Sequence, residues 1–153
     1  MKKVKNMTEK YLLEDFSKEK GNENWNNYIL KKECVIFGKT FDKETLELSI
    51  HKKQSLENSI IKINEYINWL GNDCKDFIIN GLCEQINEYS SVSVEELIKT
   101  KWYESLEIYR VLLTITEKGK IGADITCEDN YDEDHILDIS LLEKEVEYMN
   151  YDG

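Results

Sequence analysis

The residues most suited to chemistry lie together near the C-terminus. Glu128-Asp129-Asn130-Tyr131-Asp132-Glu133-Asp134 places five carboxylates in seven consecutive positions, and His135, one of two histidines, follows directly. Carboxylate oxygens at that density are the ligands a hard cation needs. The spacing does not match a calcium-binding EF-hand loop, since Asp134 stands sixth from Asp129 where glycine is required, and Ser140 stands twelfth where glutamate is required. The plainest reading is a solvated, charged connection between two strands. The functional alternatives are a divalent-cation site and a protein-contact surface made of Asp129, Tyr131, Asp132, Glu133 and Asp134. A second chemistry is nucleophilic catalysis. His51 and His135 fall on different predicted strands, and either would serve as base to a cysteine at contact distance. The four cysteines, Cys34, Cys74, Cys83 and Cys127, form no CxxC or CxH pair, so zinc-ligand spacing is absent and buried, reduced thiols are expected. No P-loop, GxGxxG, GxSxG or HExxH is present, and no cofactor is expected. Carboxylates such as Glu65 and Glu84 occur throughout, and their spacing selects no acid–base pair. Arg110, the single arginine, alternates with Tyr109 and Val111 and reads as an exposed cross-strand charge. Trp69, Trp102 and Tyr103 read as packing residues rather than a ligand cage.

The elements that must carry these residues follow from periodicity. Tyr28 to Phe37 is β-branched and aromatic, and Leu46, Leu48 and Ile50 alternate with Glu47, Ser49 and His51, which predicts a strand pair joined across residues 38–43. Leu56, Ile60, Ile63, Ile67 and Leu70 are spaced for one helix stripe, with Gly71-Asn72 as the expected stop. Ile78, Leu82 and Ile86 line a second helix, which Asp73 would cap. Ser93-Val94-Glu95-Glu96 reads as the capping box of a third. Period two then returns at 109–115, 121–127, 137–141 and 146–150, with Lys118-Gly119 as a turn, which predicts a four-strand antiparallel meander. The fold class expected is α+β: an antiparallel sheet, made of an N-terminal strand pair and the C-terminal four-strand meander, with a three-helix layer on one face. Residues 1–153 make one domain, with 1–27 as a loosely ordered extension in which Leu12, Leu13 and Phe16 form a helical turn.

Charge narrows the partners. The chain carries −11 overall, but residues 1–53 hold 12 lysines against 9 acids, while residues 124–153 hold 11 acids against Lys144 alone. Such a surface repels nucleic acid and anionic membranes and attracts basic proteins or cations. No apolar run is long enough to span a bilayer and no secretory signal is visible, so a cytoplasmic location is expected. The excess of lysine over arginine, with frequent Asn and Ile, reads as the coding bias of an AT-rich bacterial genome.

Phe37-Gly38-Lys39 with Asp42, the Leu46-Glu47-Leu48 strand, the helical insert, Asp134-His135-Ile136-Leu137-Asp138-Ile139 and the last strand ending at Asp152-Gly153 together resemble uncharacterised bacterial domains of unknown function. Several such families occur among the immunity proteins of polymorphic-toxin systems. The resemblance spans residues 28 to 153 and implies tight binding of one basic toxin domain, with no catalytic residues. The chain departs from that pattern just before His135, where the expected aromatics are lacking and Tyr131 is the nearest aromatic residue. The expectation is a non-enzymatic protein-binding module of this immunity-like kind. The alternatives are a structural or regulatory homo-oligomer and an enzyme using His135 and a cysteine.

Overall fold

Local signals set the helices. The computed structural model describes residues 10–86 and 91–152. The Ser55 hydroxyl accepts the Asn58 N–H at 3.1 Å and starts α1 (Leu56–Asn72), which turns Leu56, Ile63, Ile67 and Leu70 inward. Helix α2 (Lys75–Ile86) buries Ile78, Leu82 and Ile86. Ser93 caps α3 (Val94–Lys99) by accepting the Glu96 N–H. The expected third helix is in fact two. Lys101 takes a left-handed conformation at φ 56°, ends α3, and redirects the chain into α4 (Trp102–Ser105), which sends Trp102 wholly inside.

Although α1 ends at Asn72, within the expected stop, Gly71 lies inside its last turn rather than beyond it. It is needed for close approach, since a Cβ there would lie 2.5 Å from the carbonyl oxygen of Val35. A hairpin of β3 (Cys34–Ile36) and β4 (Lys39–Phe41) docks at that point. Its turn residues Phe37 and Gly38, both at positive φ, donate N–H groups to the carbonyls of Leu70 and Gly71.

The remaining strands form one seven-stranded sheet. In chain order they are β1 (Phe16–Glu19), β2 (Trp25–Leu30), β5 (Leu46–His51), β6 (Glu107–Ile115), β7 (Ile121–Glu128), β8 (Ile136–Leu142) and β9 (Glu145–Asp152), and they lie side by side in that order. Three expectations are corrected here. The run from Tyr28 to Phe37 is not one strand: it leaves the sheet after Leu30 and re-forms as the separate β3–β4 hairpin. The residues expected as a plain connection, 38–43, contain β4. The sheet is not antiparallel throughout, because β5 and β6 pair in parallel, Leu46 beside Val111 and Leu48 beside Leu113, and the four helices form their crossover. Of the extension expected at 1–27, Leu13–Asp15 form a single 3₁₀ turn, β1 makes the sheet edge and Trp25–Asn27 begin β2. Residues 1–9 lie outside the described residues.

The register aligns a buried row, Leu46, Val111, Ile125, Ile139 and Met149, across five strands. The helices cover this face. On the other face the row Glu47, Leu112, Asp124, Ser140 and Tyr148 crosses the same strands, and no element among the described residues covers it. Among the described residues no helix is long and apolar enough to cross a membrane.

Candidate functional site

The acidic segment is the link from β7 to β8, and one carboxylate fixes its shape. Asp129 is only 6% exposed. Its Oδ2 accepts the Trp102 indole N–H at 2.6 Å and the Tyr151 hydroxyl, and its Oδ1 accepts the backbone N–H groups of Tyr131 at 3.2 Å and Asp132 at 3.0 Å. Four donors from three parts of the chain thus converge on one buried carboxyl group, which is how a polar side chain is satisfied away from water. Asn130 fastens the loop to the α3–α4 junction. Its N–H donates to Ser105 Oγ at 3.1 Å and its side-chain amide to the Thr100 carbonyl at 2.8 Å. Burial, and then the hydrogen bond to Asp129, push the Tyr151 phenol well above its ordinary range.

The other members of the segment face outward. Tyr131 is 39% exposed, with its ring 6.1 Å from that of Tyr151. Glu133 and Asp134 are exposed, and Asp132 is half-buried. His135 Nδ1 lies 2.9 Å from both carboxylate oxygens of Asp132, and that hydrogen bond raises the imidazole pKa. The five residues expected as a contact surface therefore divide. Tyr131, Asp132, Glu133 and Asp134 are presented, while Asp129 is turned inward and serves as their anchor, because the indole and phenol donors lie inside.

The residues needed for covalent chemistry are placed elsewhere. All four cysteines are buried. Burial pushes the Cys74 thiol up to about 11 and that of Cys127 to about 12, and also raises Cys83. A thiol held protonated in this way is a poor nucleophile. The Cys127 sulfur donates to the Leu137 carbonyl, whereas His135 faces Asp132. His51 stacks edge-on against Trp25 at 5.2 Å and lies 3.8 Å from Glu117. Among the described residues no group of three or more His, Cys, Asp or Glu could hold a metal ion.

No family model, curated protein or solved structure matches this chain.

Its chemistry has to be taken from geometry. Three further features escaped the sequence. Trp102, expected as packing, and Tyr151, which lies one position past the strand expected at 146–150, are the donors that hold Asp129. Arg110 is on the uncovered sheet face as its alternation implies, and its partner is Glu47 at 3.0 Å on the parallel neighbour. That face also gathers Asp124, Asp138 and Asp152. Burial, and then the hydrogen bond with Asp152, raise the Asp138 pKa. The alternation of Asp138 with Leu137 and Ile139 was the available signal for its face, but not for its neighbours.

Proposed function

We propose that the chain is a non-enzymatic protein-binding module whose 129–135 loop meets a basic surface on a partner protein, as an immunity-like inhibitor of a bacterial toxin would. The observation that carries this reading is the anchoring of Asp129. A loop held by four hydrogen bonds to one buried carboxylate loses little conformational entropy when it is bound, so its outward carboxylates act from fixed positions. Asp132, Glu133 and Asp134 then supply charge that steers encounter with a basic partner, and Tyr131 supplies an amphipathic contact. Buried, protonated thiols give the reading further support, because they suit a reducing cytoplasm and leave no activated nucleophile among the cysteines with raised pKa values.

The test is capture of partners from lysate of the source cell at low and at high salt. One stoichiometric basic protein, released by salt, is expected. The triple variant Asp132→Lys, Glu133→Lys, Asp134→Lys should lose that partner while keeping its far-ultraviolet spectrum. Retention of the partner by the triple variant would refute the site.

A homo-oligomer is the second reading, and it is favoured by the sheet edge at β1, beyond which no further strand pairs among the described residues. Light scattering decides between the two, since a mass that stays monomeric at all concentrations removes the oligomer.

A further inference from the structure

We propose that the outer edge of β9, with the groove it forms against α2, is a strand-addition site for a basic extended segment of a partner protein. This site adjoins the 129–135 loop through Tyr151 but does not depend on a partner binding there. Two separate observations meet here. The first is the edge itself. β9 is the last strand in the sheet order, and β8 is the one strand paired with it among the described residues; seven of its eight residues have a partner there, and Glu147 stands at a register shift. Among the described residues no backbone hydrogen bond from a turn or loop reaches it. An edge of this length is a ready template for another strand. Its protections are the acidic side chains and the irregularity at Glu147, and it contains neither lysine nor proline, so a strand of opposite charge is not repelled.

The second observation is the groove beside that edge, a depression of about 400 Å³ between α2 and the start of β9. Asp76, Phe77, Asn80 and Glu84 line it at helical spacing, and Val146 closes the strand side. Gly81 makes it possible by letting helix and strand approach, since a Cβ there would stand 2.6 Å from Val146 Cγ2. Phe77 is 50% exposed, and its ring is braced edge-on by Trp69 at 5.7 Å. An apolar wall with carboxylates on either side suits a long cationic side chain, whose stem would lie on Phe77 while its charge reaches Asp76 or Glu84. Lys144, the cation at the rim, is engaged over the Trp69 ring at 5.7 Å. In strand addition, backbone pairing supplies affinity and such side pockets supply selectivity.

Charge selects the occupant. β9 carries Glu145, Glu147 and Asp152 and no basic residue. A second copy of the chain, paired symmetrically and antiparallel through β9, would set Glu145 directly opposite Asp152. Like charges directly opposite one another destabilise a strand pair. A partner strand with lysine or arginine at alternate positions meets the same edge with opposite charge.

The experiment uses the full chain and an acetylated eight-residue peptide alternating valine and lysine. The controls are the same peptide with glutamate for lysine, and the valine–lysine peptide N-methylated at alternate amides. Amide hydrogen exchange should slow along β9 with the valine–lysine peptide and with neither control. Glu145→Lys should weaken binding severalfold, as expected for reversal of a cross-strand charge, and Phe77→Ala should weaken it by a similar factor. Both residues are exposed, so circular dichroism should be unchanged. Protection confined to β9 and lost with N-methylation supports the proposal. Protection mapping to 129–135 or to the uncovered face, equal binding of the methylated peptide, or no binding at millimolar peptide overturns it.

Discussion

Asp129 and Asp132 are the same residue type three positions apart, yet they do opposite work. Asp132 is half-buried, faces His135 and shares in the outward charge of the loop, whereas Asp129 is internal and satisfies four donors. Removing the inward carboxylate strands the Trp102 indole and the Tyr151 hydroxyl without an acceptor. Asp129→Ala should therefore lower stability by about 1–3 kcal/mol, measured as a loss of urea midpoint, while Asp134→Ala, on an exposed residue, should cost no more than about 0.5 kcal/mol. Equal, small losses for both would mean that the anchor is not one. Nothing in the acidic run told these carboxylates apart. The distinction depends on donors 27 and 22 positions away, brought together only when α4 and β9 fold over the loop.

Elements were legible where one periodicity ruled them, as in α1, α2 and the strands from β6 onward. They were misread where a single backbone conformation interrupted a continuous pattern. Phe37 looks like a strand residue, but it sits at φ 53° in a turn, held by its N–H bond to Leu70 and its ring against Tyr103. Lys101 likewise breaks a continuous helical pattern by adopting a conformation that lysine rarely takes. Gly81 shows the converse, a residue whose importance is visible only in packing. Gly81→Ala gains helix propensity of about 1 kcal/mol but drives a methyl into Val146, an overpacking cost of about 1–3 kcal/mol. A net loss of stability is expected in chemical denaturation, and adding Val146→Ala should recover part of it. A fully additive double variant would show that α2 and β9 are not in the contact described.

At the scale of the molecule, coverage of only one sheet face leaves the carboxylates of Asp124, Asp138 and Asp152 on the other. Asp138 is raised above its ordinary 3.8, chiefly by burial and then by Asp152, so its ionised form is the less favoured one in the folded state. The stability that its protonated form contributes is complete below pH 3.8 and is lost as pH rises through the raised folded value. Asp138→Asn should therefore melt higher than the parent at pH 7, with the difference closing as pH falls below that point. A variant that melts lower at pH 7 would contradict this sign. Which face the helices cover followed from alternation. The parallel contact of β5 with β6 did not, because alternation assigns faces and leaves the choice of neighbour open.

That parallel contact also sets a schedule for the nascent chain. Val111 follows Leu46 by 65 positions, so β5 must wait for the whole helical crossover before its neighbour exists. At about 5–20 residues per second the wait is roughly 3–13 s. Throughout it, the antiparallel pair of β2 and β5 holds Leu46, Leu48 and Ile50 beside an unfilled strand position. By contrast β7, β8 and β9 each find their partner within one turn of emerging. The protein is thus synthesised with its slowest join in the middle of its seven-stranded sheet, and the half made first is the half that waits.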